Sequence, residues 1–435
     1  MTLLIALLLA QDFRAGFGEV DITPPLGSPR QGWNSKLTGD AVRDPIYARA
    51  AAFDVAGGEP IVFVQLDVAM ILSEDATSVR ARIRKEHGLA PARVMVTATH
   101  NHTGPAMMNE ALPRSETWIA TMIEKTSAAV GLALAARTEA KVGVGRGLNA
   151  EVAYNRRIVM RDGTVRTHGS FKDPDALAFE GPIDPEVGVL AARGKDGKIL
   201  GALVTYACHP GHKGGDPVFS AGYPGVLAAR LKEKGVPITL YLQGACGNLA
   251  PSNPFGRPQL TMEEVGTRLA DDAWGAIEAL KWTSPKTVAA ASKTIPIPYR
   301  QPSKEDVDGT RPGTQRFGEK GYYERKIPLL MEEIAKKGGV EPAELQVFRV
   351  DGWAFAAVPA EIFVEIGLRI KTSSAPARTW VVGYANGMLG YIPHREAFAR
   401  GGYECTFGPP SCMAVETGEL LADTAVGLIK GLFAP

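Results

Sequence analysis

The chain has 435 residues, of which 45% are hydrophobic and 22% are charged, and its formal net charge at pH 7 is +1. These values are typical of a globular protein with a sizeable core, and they argue against a strongly basic nucleic-acid-binding protein. The length allows one large domain or two ordinary ones, and no internal repeat or long linker divides the chain.

The first ten residues, MTLLIALLLA, form an apolar segment that is too short to span a bilayer. The segment resembles the core of a secretion signal that ends near Ala10, although it lacks a positively charged start. A buried N-terminal strand or helix is the alternative. We therefore expect a signal peptide at 1–10, a single domain over 11–435, and an exported protein that is periplasmic or extracellular. No later run is apolar and long enough to predict a transmembrane helix.

Strands and helices alternate in the next part of the chain. The pattern predicts a buried strand over 60–70, a helix over 73–87, a strand that begins near 93, and a long helix over 115–136. This order predicts an α/β fold with a mixed β-sheet core flanked by helices. A lone carboxylate in a buried strand is costly, so Asp67 needs a partner, and we hypothesise that it orients a metal-binding histidine.

Hairpin and helix signals continue to the C-terminus. Hairpin turns are predicted at Asp162-Gly163, Asp196-Gly197 and Asp351-Gly352. Further helices are predicted over 224–235, 261–280, 322–337 and 414–432, the second of them opening with the capping-box spacing of Thr261 and Glu264. Residues 300–320 are polar and rich in glycine and proline, which predicts an exposed loop.

A histidine pair follows the strand that begins near residue 93, in the run Thr99-His100-Asn101-His102-Thr103-Gly104-Pro105. In an extended backbone this spacing would place both imidazoles on one face and Asn101 on the other. Imidazole is a common metal ligand, but the pattern is short and has many chance matches. Metal binding and a structural role in a loop therefore both remain open from this motif alone.

A second histidine pair, His209 and His212, follows another apolar strand at a proline–glycine break. Four of the seven histidines thus lie at two strand ends, which favours a shared metal centre, whereas the remaining histidines are predicted to be surface or loop residues. Zinc takes about four ligands, with one position left open in a catalytic site. Glu361 is a candidate oxygen ligand because it also follows an apolar strand.

The four cysteines do not match the CxxC spacing of a zinc site. If the protein is exported, Cys405 and Cys412 could close a short loop. Four cysteines allow three pairings, and the sequence does not choose among them.

Eight motifs in order along the chain carry a resemblance to a known family: EVDITPP at 19–25, THNHTGP at 99–105, YNRR at 154–157, YACHP at 206–210, YPG at 223–225, QGACGN at 243–248, VPAE at 358–361 and GYIPHREAF at 390–398. With these motifs the chain resembles the neutral/alkaline non-lysosomal ceramidase superfamily, specifically its bacterial ceramidase-like N-terminal-domain proteins. The resemblance implies a ceramidase-like catalytic domain, here without the C-terminal immunoglobulin-like domain of full-length ceramidases.

The resemblance also implies a zinc site and a set of catalytic residues. The implied zinc ligands are His100, His209, Glu361 and Tyr391. The implied catalytic residues are His102 as general acid/base, Arg156 near the scissile group and Tyr403 as a polarising hydroxyl. Zinc in such a site lowers the pKa of bound water to about 7, so the expected enzyme is a zinc-dependent hydrolase that cleaves an amide (N-acyl) or ester bond of a small or lipid-like molecule.

One departure from the family bears on the substrate. Where ceramidases carry a GDVSPN-like segment with a functional serine, this chain has Ala250, and Ser252 is expected to point elsewhere. Alanine offers no hydroxyl to a sphingoid substrate, which argues against true ceramidase activity. A zinc-dependent carbohydrate hydrolase or lyase on the same scaffold, and a non-catalytic zinc- or ligand-binding protein, are the alternatives. Retention of the ligand positions together with His102, Arg156 and Tyr403 disfavours the non-catalytic one.

Overall fold

The computed structural model describes residues 12–32, 35–109 and 112–434. The expected signal segment at 1–10 lies outside these residues. The described residues fold as mixed β-sheets flanked by helices, which confirms the predicted fold class. Among the helices of these residues, none has the length and apolar character needed to cross a membrane.

The strands of the described residues are numbered in chain order. Those of the first half are β1 (Phe13–Asp21), β2 (Ala41–Val42), β3 (Tyr47–Val55), β4 (Ile61–Leu66), β5 (Val94–Ala98), β6 (Thr138–Leu148), β7 (Tyr154–Asn155), β8 (Arg157–Met160), β9 (Val165–Thr167), β10 (Ala176–Phe179), β11 (Glu186–Gly194) and β12 (Ile199–Tyr206). Those of the second half are β13 (Val218–Phe219), β14 (Thr239–Gln243), β15 (Leu249–Ala250), β16 (Trp282–Thr283), β17 (Val288–Pro298), β18 (Val340–Val350), β19 (Trp353–Ala357), β20 (Glu361–Ile362), β21 (Arg378–Val382) and β22 (Tyr391–Ile392).

The helices are numbered in the same way. They are α1 (Ser73–His87), α2 (Glu116–Ala135), α3 (Gly222–Glu233), α4 (Met262–Glu278), α5 (Lys304–Asp308), α6 (Tyr322–Lys336), α7 (Val364–Ser373), α8 (Ala397–Arg400) and α9 (Thr417–Phe433).

The larger of two main sheets has the strand order β14-β12-β11-β6-β1-β3-β4-β5, with β16 also paired to β6. Its outer pairs, β12–β14 and β4–β5, are parallel, and the pairs between them are antiparallel. The smaller sheet has the order β17-β18-β19-β21, and only its β19–β21 pair is parallel.

The two sheets pack face to face through an aromatic core. In β4, Val62 and Val64 face the helices, whereas Phe63 faces the smaller sheet, as the two-residue period of a strand requires. The Phe63 ring meets Phe348 and Phe355 edge to face, with centroids 5.1 and 4.9 Å away. Such edge-to-face pairs add to the burial of large apolar side chains.

Helices cover the outer faces of both sheets. Helices α1 and α2 pack on the β3–β5 side of the larger sheet, and α3 and α4 pack on the β11–β12 side of the same face. Helices α7 and α9 pack against the smaller sheet. The fold therefore has four layers, in the order helix, sheet, sheet, helix.

Most predicted elements are found close to their predicted positions. Helix α1 ends at Gly88, which adopts a φ of 73°, and α4 begins with the capping box of Thr261 and Glu264. The region 300–320 differs from the predicted loop, because Ser303 caps the short helix α5 within it. The suggested bond between Cys405 and Cys412 is absent, and all four cysteines are buried free thiols.

The hypothesis for Asp67 is wrong. Its fully buried carboxylate pairs with Arg49 at 3.0 Å and accepts hydrogen bonds from the Gln65 side chain and the Tyr47 backbone N–H. Burial raises the pKa of Asp67 even though Arg49 acts to lower it. The carboxylate thus joins β3 to β4 and contacts none of the candidate histidines.

Candidate active site

The histidine pair lies in a turn, which corrects the extended geometry expected for it. Strand β5 ends at Ala98, and His100 adopts a φ of 62° in the left-handed region. The turn still directs both imidazoles to one place, and the Nε2 atoms of His100 and His102 are 3.1 Å apart. A non-glycine residue in this conformation is uncommon and persists only where the surrounding contacts fix it.

Three further predicted residues reach the same point from other strand ends. His209 follows β12, and Glu361 begins β20. Tyr391 begins β22 and is the register partner of Glu361 in a short parallel ladder. The larger sheet therefore supplies the imidazoles, and the segments that follow the smaller sheet supply the carboxylate and the phenol.

The ligand atoms face one another at close range. Glu361 Oε2 lies 3.2 Å from His100 Nε2 and 3.3 Å from His209 Nε2. The Tyr391 hydroxyl lies 3.3 Å from His209 Nε2. All four residues are buried. The structure thus brings together all four predicted ligands, with His102 beside them.

Backbone carbonyls hold each imidazole in one tautomer. The Nδ1 atoms of His100, His209 and His102 lie 2.7, 2.8 and 3.0 Å from the carbonyl oxygens of Ala69, Cys246 and Gly32. A carbonyl only accepts, so each Nδ1 carries a hydrogen, and a ring in its neutral form then presents the Nε2 lone pair to the centre. At position 32 a Cβ would lie 2.9 Å from the His102 carbonyl oxygen, so only glycine fits this approach.

The ionisation of these groups agrees with that arrangement. Burial, Arg156 and the neighbouring imidazole lower the pKa of His209 to about 3, and burial lowers the pKa of His102 well below its usual range. Burial acts to raise the pKa of Glu361, but the imidazoles beside it bring that pKa well below its ordinary value. At neutral pH the Glu361 carboxyl is therefore ionised, and the imidazoles of His102 and His209 are neutral.

This donor set fits a zinc ion. Zinc binds imidazole nitrogen and carboxylate oxygen at about 2.0–2.2 Å, so neighbouring ligands of a tetrahedral site are about 3.3 Å apart. The distances from Glu361 to the two imidazoles and from Tyr391 to His209 are 3.2 to 3.3 Å. The Nε2 atoms of His100 and His102 lie 3.1 Å apart, and two unprotonated nitrogens at that distance repel each other unless a proton or a metal cation is shared between them. The imidazoles of His100, His102 and His209 also form a group that could hold a metal ion.

Arg156 is fixed beside the centre by a buried ion network. Its Nε donates to Glu404 at 2.7 Å and its Nη2 to the Gly247 carbonyl at 2.8 Å, while its guanidinium lies 5.4 Å from the centroid of the Tyr391 ring. The other carboxylate oxygen of Glu404 accepts from Arg157 at 2.8 Å. Sequence reasoning selected Arg156 but missed Glu404, because nothing near position 404 marks a buried carboxylate.

Two cavities open from the centre in different directions. The methionine cavity, of about 330 Å³, is lined on its apolar part by Met70, Leu72, Met108, Leu330, Met388, Leu389 and Met413. The histidine cavity, of about 420 Å³, is lined by Arg156, His168, His212, Ser252, Leu260 and Phe317 together with Ala250. Both cavities include Gly32, His102, Tyr391 and Tyr403 in their walls. The candidate metal centre therefore lies where the two cavities meet.

Three residues of these walls refine the sequence analysis. Tyr403 lies against Tyr391, with ring centroids 5.5 Å apart, and stacks on Phe317. Ser252 was expected to point elsewhere, but it lines the same cavity as Ala250, because the chain turns after β15. His168, predicted to be a surface or loop residue, is a loop residue with a φ of 56° in the wall of the histidine cavity.

Comparison with known proteins gives the relatives of this chain. Residues 13–218 match the sequence model of the family described as neutral/alkaline non-lysosomal ceramidase, N-terminal. The neutral ceramidase of Pseudomonas aeruginosa is 24% identical over 499 residues, which cover 97% of this chain and 72% of that protein. The chain thus resembles the neutral/alkaline ceramidase family, whose sequence model matches slightly less than half of it. The resemblance found in the sequence motifs is confirmed, and the relationship supports a hydrolase.

Solved structures of relatives share the fold. The crystal structure of neutral ceramidase from Pseudomonas aeruginosa superposes with a TM-score of 0.76 at 21% identity, covering 97% of this chain and 74% of that one. A ceramidase complexed with C2 gives the same TM-score and identity and is covered to 75%. These matches confirm the predicted ceramidase-like fold. They give no support to the argument against ceramide as a substrate that was drawn from Ala250.

Proposed function

We propose that this protein is a zinc-dependent hydrolase that cleaves an amide (N-acyl) or ester bond of a lipid-like molecule. The observation that carries this proposal is the convergence of His100, His209, Glu361 and Tyr391 at zinc-ligand spacing, at the junction of two cavities. A bound zinc ion would supply a Lewis acid that lowers the pKa of a coordinated water to about 7.

The positions of the side chains around the centre support a hydrolytic role. His102 presents an unprotonated Nε2, so it can accept a proton from the attacking water and return it to the leaving nitrogen or oxygen. Arg156 and Tyr403 line the histidine cavity beside this atom, where they can stabilise the charge that develops on the carbonyl oxygen. Glu404 holds Arg156 in place, so its charge needs little reorganisation during the reaction.

The two cavities support a substrate with two arms joined at the scissile bond. The methionine cavity has an apolar part with flexible side chains that fits an acyl or alkyl chain, and charged side chains line the rest of it, namely Glu74, Glu333, Lys337 and Glu341. The second arm would occupy the histidine cavity. This favours a lipid amide or ester over the carbohydrate alternative, and ceramide is among the candidates because a relative is named neutral ceramidase.

The proposal is tested by metal analysis combined with a substrate screen. We expect about one zinc per chain in the purified protein, and loss of both zinc and activity in His100→Ala and His209→Ala. His394→Ala is the matched control, because His394 pairs with Glu396 at the surface. The zinc-loaded protein is screened against N-acyl sphingoid bases, N-acyl amino acids, fatty esters and glycosides. A full zinc content in both ligand variants, or activity on glycosides alone, would contradict the proposal.

A further inference from the structure

Tyr384 is a fully buried residue at the centre that neither the sequence motifs nor the family resemblance assigned to the site. Its ring stacks on the His100 imidazole, with the centroids 4.1 Å apart and the planes inclined by 20°. Its hydroxyl lies 3.3 Å from Glu361 Oε2 and 3.2 Å from Cys246 Sγ. The side chain thus contacts two of the predicted metal ligands at once.

The hydrogen-bond directions follow from the groups involved. A carboxylate only accepts, so the Tyr384 hydroxyl donates to Glu361 Oε2, and its own oxygen is left to accept from the Cys246 thiol. Oε2 is the same carboxylate oxygen that faces His100 and His209. The hydroxyl therefore restrains the atom that the donor set offers to a metal ion.

The backbone of Tyr384 is held by both of the segments that carry these ligands. Its N–H donates to the Ala360 carbonyl at 3.3 Å, next to Glu361, and its carbonyl accepts from the Ala98 N–H at 3.1 Å, two residues before His100. Its φ is 54°, in the left-handed region. A tyrosine in this conformation is strained, and the bonds on both sides over-determine it.

We propose that Tyr384 is a positioning residue that raises the metal affinity of the centre by fixing the plane of His100 and the Oε2 atom of Glu361. This inference rests on the metal centre of the proposed function. Groups that orient metal ligands are typically worth about 10- to 100-fold in metal affinity. In Tyr384→Phe the ring still stacks on His100, so that variant isolates the hydroxyl.

The test measures zinc affinity by competition with a chromogenic chelator at fixed pH, which does not depend on the substrate. We expect about 10- to 100-fold weaker zinc binding in Tyr384→Phe. Tyr206→Phe is the matched control, since Tyr206 is equally buried and its hydroxyl donates to the Asn149 carbonyl at 2.9 Å. Zinc affinity in this control should equal that of the wild type, although both variants lose one buried hydrogen bond.

A second variant separates the two contacts. Tyr384→Leu removes the stacked ring as well as the hydroxyl, and we expect it to bind zinc more weakly than Tyr384→Phe. Wild-type affinity in Tyr384→Phe would overturn the role of the hydroxyl, and equal affinities in the two variants would overturn the role of the ring. These results leave the proposed function standing, whereas absence of zinc binding in the wild type would remove the proposed function and this inference together.

Discussion

Replacing Glu404 with glutamine removes a negative charge that is enclosed by two buried guanidinium groups. The Glu404 carboxylate is fully buried, and it accepts from Arg156 at 2.7 Å, from Arg157 at 2.8 Å and from the Thr167 hydroxyl at 2.8 Å. Burial acts to raise its pKa, but the two guanidinium groups bring the pKa from 4.5 down to about 2. The carboxylate is therefore strongly preferred in its ionised form.

That pKa shift sets the size of the expected effect. A lowering of about 2.5 pKa units corresponds to about 3 kcal/mol of folding free energy at pH 7, because one unit is worth about 1.4 kcal/mol. Independently of this pKa, removal of one partner of a buried ion pair typically lowers the free energy of unfolding by about 3–5 kcal/mol. We therefore expect Glu404→Gln to lower the free energy of unfolding by about 3 kcal/mol at pH 7.

The pH dependence gives the sharper test. The folded-state pKa is depressed, so the stabilisation is fully present above pH 4.5 and is lost as the pH falls through the folded value near 2. Between pH 7 and pH 3.5 the wild type should lose about 1.4 kcal/mol of this contribution, and Glu404→Gln should not. The difference between the two proteins should therefore shrink as the solution becomes more acidic.

The assay is urea unfolding of both proteins at a series of pH values. Glu263→Gln serves as the control, because Glu263 forms an exposed ion pair with Arg43 that should be worth about 0–1 kcal/mol at any of these pH values. A difference between wild type and Glu404→Gln that stays constant from pH 7 to pH 3.5 would refute the assignment of a depressed pKa to Glu404.

Three further predictions concern the core, the proton transfer and the substrate. Phe63→Ala should lower the free energy of unfolding in urea by about 3–5 kcal/mol, because it opens the aromatic core between the sheets. Leu148→Ala, at a residue that is 69% exposed, should cost little. His102→Ala should keep its zinc in metal analysis but lose about 10²- to 10⁴-fold in turnover, and loss of the metal would instead make His102 a ligand. Leu330→Trp should narrow the methionine cavity, so the preferred acyl chain in a chain-length series should become shorter, and an unchanged profile would place the acyl chain elsewhere.

Sequence signals with a local cause predicted the elements well. The end of α1 at Gly88 and the capping box of α4 each depend on residues within one helical turn, so both can be recognised in the sequence. The four-layer stacking was not predicted, because the contact of Phe63 with Phe348 and Phe355 joins residues that are far apart in sequence. The hydrophobic pattern indicated that the strands were buried, but it did not indicate which elements pack against each face of a strand.

Residue types that commonly bind metals could be assigned to the site from the sequence alone, whereas residue types with many other roles could not. Histidines at strand ends indicated a metal centre without any relative, but Tyr391 and Tyr403 came only from the family resemblance. Neither the residue pattern nor the family resemblance indicated Tyr384, because a tyrosine that follows a buried strand is usually part of the hydrophobic core. The orienting groups of the imidazoles were also missed, since they are backbone carbonyls, which every residue carries.

The origin of the ligands in both sheets limits how this protein can be divided. Residues 13–218, which match the family's N-terminal model, contain His100 and His209 but end before Glu361 and Tyr391. A fragment with these limits would lack half of the predicted ligand set and would expose the aromatic face of the larger sheet to water. The smallest autonomous catalytic unit therefore includes both sheets, and chimaeras between relatives should exchange the two sheets together.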